Sequence, residues 1–345
     1  DQAIKANNPS ATVVVGGMTY WWDHHYQRQQ YLDSMLDVEA QDPTAASNGY
    51  YFDAVDVHTY SNPLNSYLAP VVFHQIMQKH GFDKPVWTAE MNVVPNDDPT
   101  SPQPNGPFRA SMDQQASYMV EASALALAGT VQRMSVYKMR DTGGEGTGEL
   151  YGLVRDDGSL RPAYVAWQFA VRTFSGASSA VYTWAGSDSP PSQAQIQTVI
   201  ASNTNRVQWI WPAAINQVVL RKGGQRITVV WNAGNAAATA SVPATGTNAV
   251  LYDKFGRQLS LPAPTNGAYQ LALEPSADNT DPRDTSIYLV GGSPMILVED
   301  VAANSISVPG AASVPAATGT AASPALATVS GPSTARVAPV AGDSS

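Results

Sequence analysis

Residues 84–92, Lys84-Pro85-Val86-Trp87-Thr88-Ala89-Glu90-Met91-Asn92, carry a short apolar strand directly into a carboxylate and an amide. A helical pattern from about Ser66 to His80, closed by Gly81, precedes this strand, and another from about Met112 to Ala128 follows it. A strand at Pro85 to Glu90 between two helices of this length points to parallel βαβ units, since parallel neighbours need a crossover and antiparallel ones only a tight turn.

The alternation continues in both directions. Upstream, Asp1 to Asn8 reads as the end of a helix, and Pro9-Ser10 turns the chain into the apolar run Thr12-Val13-Val14-Val15-Gly16-Gly17. A helix from about Gln27 to Ala40, with Tyr31, Met35 and Val38 on one face, leads to a strand at Ala54 to His58. Downstream, a strand at Val131 to Lys138 and a helix at Ala163 to Phe174 complete the series. Four nearly all-apolar strands require helices outside them and neighbours at both edges. Four is half of a (β/α)8 TIM barrel, and polar and aromatic residues gather just after each strand, where barrel enzymes place their chemistry. A doubly wound open sheet is the alternative, but no Gly-rich phosphate loop follows any strand.

The pattern changes near Ser178. Short alternating segments, among them Val181–Trp184, Val207–Trp211, Ile215–Arg221, Ile227–Trp231 and Tyr269–Leu273, are separated by turn residues such as Gly223-Gly224 and Asn266-Gly267. These predict an all-β sandwich over 178–299. From about residue 300 to 345 the sequence reduces to Ala, Val, Ser, Thr, Pro and Gly, a composition expected to form a disordered tail.

Composition removes several functions. The 19 basic residues are scattered against 28 acidic ones, which argues against nucleic-acid binding. No apolar run reaches the eighteen residues of a membrane span, and the absence of cysteine removes disulfides, thiolate nucleophiles and thiolate metal sites. The sequence opens on Asp1 without a signal-peptide pattern, as a processed chain or a fragment would. An exported protein, extracellular or at the cell surface, is expected from the sandwich and its Ala/Ser/Thr/Pro tail.

The run 84–92 resembles the seventh strand of clan A retaining glycoside hydrolases, and Asp56-Val57-His58-Thr59-Tyr60 resembles the sixth. The stretch from Tyr151-Gly152-Leu153 to Arg161-Pro162-Ala163-Tyr164 resembles the join between the eighth strand and the last helix. Val230-Trp231-Asn232, Leu251-Tyr252-Asp253 and the segment 292–299 resemble the accessory β-sandwich behind such barrels. The resemblance implies that residues 1–177 are strands five to eight of the barrel and that Glu90 is the catalytic nucleophile. It also implies that His58 and Tyr60 line the sugar site and support Glu90. In the clan the acid/base carboxyl follows the fourth strand, which lies outside this sequence. The chain is therefore expected to lack self-sufficient activity until a longer parent, or a separate N-terminal chain, completes the barrel.

Trp21 and Trp22 follow the first apolar run in an expected loop, where their rings either stack on sugars or pack on the next helix. Asn92, Lys138 and Arg140 are the remaining candidates for binding a carbohydrate substrate. The plainer reading of Glu90 is a strand-end carboxylate paired with Lys138 or Arg140, and that of Trp87, three residues before it, is a core residue. Glu145 and Glu149 lie among too many glycines to stand in for the missing acid. The adjacent His24 and His25 lack metal-ligand spacing, Asn96-Asp97-Asp98 offers too few ligands for calcium, and no cofactor or metal is expected. The competing functional readings are a non-catalytic carbohydrate-binding or matrix scaffold and a truncated product without a function of its own.

Overall fold

The computed structural model of the chain describes residues 1–100, 110–142, 150–184, 189–202, 211–276, 280–281, 284–302 and 312–313. Most of the expected tail, Glu145 and Glu149, and most of the segment Val207–Trp211 lie outside the described residues. Residues 1–315 form one compact unit.

The chain starts with α1 (Gln2–Asn7), β1 (Val14–Met18), α2 (Tyr20–His25), α3 (Tyr31–Glu39), β2 (Ala54–Val57), β3 (Thr59–Tyr60) and α4 (Asn65–Lys79). Next come β4 (Val86–Thr88), β5 (Met91–Asn92), α5 (Met112–Ala128), β6 (Val131–Met134) and α6 (Pro162–Phe174). The remainder is β7 (Ser179–Trp184), α7 (Gln193–Ser202), β8 (Ile215–Lys222), β9 (Gln225–Asn232), β10 (Ala238–Pro243), β11 (Thr247–Tyr252), β12 (Gln258–Leu259), β13 (Ala268–Leu273), β14 (Thr280–Asp281), β15 (Asp284–Tyr288), β16 (Met295–Asp300) and β17 (Ala312–Ser313).

The architecture is mixed α/β, with separate parallel and antiparallel sheets. Four strands pair in parallel in the order β1-β2-β4-β6, and the short pair β3-β5 extends the two central strands. Register partners in a parallel sheet point to the same face. Val55, Val86 and Val131 are such partners and are fully buried, and Val55 and Val86 share one core with Phe73 and Met77 of α4 and Met119 of α5. Asp56, Trp87 and Arg133 project from the opposite face, where Arg133 lies 4.7 Å from the centre of the Trp87 ring. Trp87, read from the sequence as core, is thus half-buried beneath a cation. β1 approaches β2 closely because Gly16 has no side chain: a Cβ there would stand 2.5 Å from the Asp56 carbonyl oxygen.

In the antiparallel half a seven-stranded sheet runs β12-β11-β16-β9-β8-β7-β17. Alternate residues of β9 divide between two cores. Val230 packs with Leu271 and Leu273 of the β10-β13 ladder, while Val229 and Trp231 join the large core that also contains α5. The parallel and antiparallel sheets therefore meet across α5. Ser111 and Gln114 close a capping box at its start, and every residue of α5 except Met112, Asp113 and Leu127 is buried. A helix apolar on all sides is one buried on all sides.

Three local expectations are corrected. Trp21, Trp22, His24 and His25 lie in the short helix α2, not in a loop, because the aromatic run Tyr20-Trp21-Trp22 packs as a helical turn with Tyr20 buried. α7 forms where only strands were expected. β6 ends at Met134, so Lys138 and Arg140 sit in irregular chain beyond it. Among the described residues no helix is long and apolar enough to cross a membrane.

α5 carries a fully buried carboxyl, Glu121. Its Oε2 accepts the Gly291 N–H at 3.1 Å, while Oε1 and the indole nitrogen of Trp231 have no partner among the described residues. Burial raises the Glu121 pKa well above the usual carboxylate range, an effect that the Gly291 N–H and Lys254 only partly offset. Because the folded value exceeds the unfolded one, stability is full below the ordinary value near 4.5 and falls as pH rises toward the folded value. Glu121→Gln, which cannot ionise, is expected to raise the melting temperature by about 2–4 °C at pH 7 and to change it little at pH 4. Thermal denaturation at the two pH values checks this.

Candidate active site

The site is built where the central parallel strands end. β3 and β5 pair Thr59 with Met91 and Tyr60 with Asn92, and the Thr59 N–H donates to the Glu90 carbonyl at 2.9 Å. This register places the Glu90 side chain beside Tyr60, whose hydroxyl donates to Glu90 Oε2 at 2.6 Å. His58 Nδ1 stands 3.1 Å from the same oxygen. The Glu90 side chain remains 32% exposed, so a carboxylate fixed by two neighbours is still open to solvent. Glu90 pairs with His58; Lys138 donates to Thr142 Oγ1 at 3.2 Å, and Arg140 donates to the Asp156 carbonyl.

The Tyr60 hydroxyl keeps its proton far above its usual range, first because it is buried and then because the negative Glu90 accepts its hydrogen bond. His58 is pushed above its ordinary value, chiefly by the hydrogen bond to Asp56 and also by the charge on Glu90, against the opposing effect of burial. Tyr60 stands edge-on to two further aromatics, with ring centres 6.3 Å from Tyr137 and 5.4 Å from Tyr151. The site thus presents a held anion beside a wall of three tyrosines.

The sequence-predicted residues divide into three groups. Glu90, His58 and Tyr60 come together. Asn92 is fully buried: its amide nitrogen donates to the Tyr137 and Tyr151 carbonyls at 2.8 and 2.7 Å, and its oxygen accepts the Val93 N–H at 2.8 Å. It holds the backbone of the two tyrosines instead of facing solvent. Among the described residues, Trp21, Trp22, Lys138 and Arg140 make no hydrogen bond or ring contact with Glu90, His58 or Tyr60, although Lys138 Nζ lies 5.7 Å from the centre of the Tyr137 ring. Trp22, 40% exposed, stacks on Tyr26 with ring centres 5.9 Å apart and lines a groove of about 670 Å³ beside β1. Asp56, Tyr137 and Tyr151 were missed. Asp56 was legible through period-two alternation, because residues 56, 58 and 60 of one extended segment share a side.

The chain beyond β6 is fastened by buried ions. Asp98 Oδ2 accepts from Arg155 Nε at 2.8 Å and Arg161 Nε at 2.7 Å, and Arg161 also reaches Asp141 at 2.7 Å. Asp141 Oδ1 in turn accepts the Gly152 N–H at 2.7 Å, beside Tyr151. Asp98 is therefore a structural anion with cationic partners. A cluster with ligand-like spacing, Asp33, Asp37 and His80, lies elsewhere, and Lys79 offsets one of its two carboxylates, with Nζ 2.8 and 2.9 Å from the Asp33 oxygens.

With this geometry in view, comparison with known proteins is informative for the fold. No protein-family model matches the sequence, and no curated protein matches it. The structure is similar to a family 39 glycoside hydrolase from Bacteroides cellulosilyticus, with a TM-score of 0.54, 14% identity and coverage of 87% of this chain and 53% of that one. A family 30 subfamily 8 xylanase from Clostridium acetobutylicum matches at a TM-score of 0.48, 14% identity, 87% of this chain and 58% of that one. A family 30 endoxylanase from Clostridium papyrosolvens matches at 0.45, 15% identity, 86% and 58%. The chain thus has a glycoside-hydrolase-like fold and spans about half the length of the first of these neighbours, 53%.

Burial alone would raise the Asp98 carboxyl, but the hydrogen bonds from Arg155, Thr100 and Arg161 outweigh it and hold the group at about 2. The depressed value means that this stabilisation is present above the ordinary 3.8 and is lost as pH falls through about 2. Asp98→Asn is expected to cost about 3–5 kcal/mol near neutral pH, by leaving Arg161 buried and underpaired, and to flatten the acid limb of stability. Urea unfolding between pH 2 and pH 7 measures both effects.

Proposed function

We propose that this chain is the carboxyl-terminal half of a (β/α)8 barrel, its parallel sheet supplying strands five to eight, with residues 178–299 as an accessory β-sandwich. In this reading the completed barrel hydrolyses a β-linked glycoside or polysaccharide with retention of configuration. The observation that carries the proposal is Glu90, solvent-accessible at the end of a central parallel strand and held between Tyr60 and His58. The fold likeness to a family 39 glycoside hydrolase agrees with it.

A retaining enzyme needs two carboxyl groups about 5–5.5 Å apart. Glu90 Oε attacks the anomeric carbon, and the bond to the leaving oxygen breaks as an acid delivers a proton to that oxygen. Water then attacks the glycosyl ester, giving its proton back to the same acid and releasing Glu90. The Tyr60 hydroxyl and His58 hold the nucleophile in one orientation. Asp56, the other carboxylate of the group, lies behind His58 at 7% exposure and is not placed to protonate a leaving group. The acid therefore comes from the other half of the barrel, on a longer polypeptide or a second chain. Tyr60, Tyr137 and Tyr151 offer ring faces for sugars, with Trp21, Trp22, Lys138 and Arg140 as outlying contacts. The protein is exported, since its polymeric substrate lies outside the cell.

Native material, examined for intact mass and subunit composition and assayed on aryl β-glycosides, tests this reading. Glu90→Gln is expected to reduce hydrolysis on the order of 10³-fold or more. A 2-deoxy-2-fluoro glycoside, which forms the ester but hydrolyses it slowly, is expected to label Glu90 and no other residue. Undiminished hydrolysis in the variant, or native material that is a folded, inert single 36.5 kDa chain, would overturn the enzyme reading and favour a carbohydrate-binding scaffold.

A further inference from the structure

Asp56 belongs to none of the roles assigned above, yet its two oxygens are both engaged. Oδ1 accepts the Ala89 N–H at 2.7 Å, and Oδ2 lies 3.0 Å from His58 Nε2. On the other side of the imidazole, His58 Nδ1 lies 3.1 Å from Glu90 Oε2. Both ring nitrogens therefore abut carboxylate oxygens. An ionised carboxylate only accepts hydrogen bonds, and a neutral imidazole has one N–H to give, so both contacts are satisfied together only by the imidazolium form. In the neutral ring one contact places lone pair against lone pair.

We propose that Asp56 is a positioning residue for Glu90: it keeps His58 protonated on both ring nitrogens and aims the Nδ1–H at the Glu90 carboxylate. This deepens the glycosidase reading and rests on it for its catalytic meaning, though not for its geometry. The local charge supports it. His58 faces Asp56 from its own segment and Glu90 from the end of β4, with Tyr60 reaching it through Glu90. β1 presents Gly17 against the ring and the Met18 carbonyl to the His58 N–H, neither of which titrates. No cation is recorded against the imidazole among the described residues, so both neighbouring charges favour its protonated form.

The role has a consequence for the nucleophile. Glu90 Oε2 accepts from both the Tyr60 hydroxyl and the His58 imidazolium, which fixes the carboxylate rotamer and leaves Oε1 as the attacking atom. When the ring loses its proton it has one N–H left for two carboxylates, so Asp56 competes with Glu90 for it and the Nδ1–H bond no longer holds Glu90 at all times. Hydrolysis by the completed enzyme then declines on the alkaline side with the titration of His58.

Nitrogen-15 NMR of the histidine side chains, recorded on this chain from pH 5 to pH 9, tests the proposal without requiring turnover. The wild-type protein is expected to show both His58 ring nitrogens protonated at pH 7 and a half-titration point above the ordinary 6.5. Asp56→Asn retains Oδ1 for the Ala89 N–H but turns an amide donor toward Nε2. It is expected to lower that point by about one pH unit or more and to leave His58 neutral at pH 7. The Ala89 amide signal reports whether the variant keeps its fold, and the wild-type ring signals stand as a measurement that needs no variant. A neutral His58 at pH 7 in the wild type, or a titration unmoved by Asp56→Asn in a folded protein, overturns the proposal. In active native material the alkaline limb of kcat/KM is expected to move with the same substitution. If the ring titrates as expected but Glu90→Gln leaves hydrolysis intact, the glycosidase reading fails while the proton network stands.

Discussion

The geometry of the site depends on one buried residue, Thr59, whose three polar groups are all engaged. Its N–H donates to the Glu90 carbonyl at 2.9 Å, its carbonyl accepts the Tyr118 hydroxyl at 2.9 Å, and its own hydroxyl lies 3.0 Å from Ser66 Oγ. The first bond sets the register of β3 against β5, the second ties that register to α5, and the third ties it to the first turn of α4. A one-residue slip would turn every alternate side chain to the opposite face, separating Tyr60 from Glu90. The catalytic proposal is thus tied to a backbone register buried in the core and not to a mobile loop. This is the kind of support a positioned nucleophile requires.

Around this frame the charges are sorted by their partners. Asp98 is buried among guanidinium groups and hydrogen-bond donors, which hold it ionised; Glu121 is buried among apolar groups with a single N–H, which leaves it protonated over a wide range. Glu90 is partly exposed and supplied with donors on one oxygen. Two carboxyls thus serve structure, one held by cations and one enclosed by apolar groups, and the third stays partly exposed to solvent. The same residue type serves three purposes because its environment, not its chemistry, sets its charge.

Much of this was legible in the sequence. The helix expected from about Met112 to Ala128 forms as α5, where Ser111 and Gln114 close a capping box and Gly129 follows the last turn. That Glu90, His58 and Tyr60 come together was legible because each lies at or just beyond the end of a short strand, His58 after β2, Tyr60 at the end of β3 and Glu90 after β4. Other features were hidden for physical reasons. α2 and α7 are short helices without a strong apolar stripe, so periodicity could not separate them from loop or strand. Asn92 has the same polar character as a sugar-binding amide, and only its burial shows that it holds the Tyr137 and Tyr151 carbonyls. The ion network of Asp98 joins residues more than fifty positions apart, which no local pattern encodes.

The contrast between β1 and β2 bears most directly on the proposed barrel. Both strands are rich in valine, yet Val55 and Val57 of β2 are completely buried, whereas Val14 of β1 is 36% exposed. Residue type does not explain the difference; neighbours do, because among the described residues β2 is paired on both sides and β1 on one. An unpaired apolar strand is a template for another strand, and soluble proteins cover, charge or bend such edges. Here the edge is flanked by exposed Trp22, Tyr26 and Tyr31, which line the groove together with the Arg28–Asp23 ion pair. In the proposed barrel a further strand pairs with β1 and a helix covers these rings. The same closure brings the second carboxyl toward Glu90, so completing the core and completing the chemistry become one event.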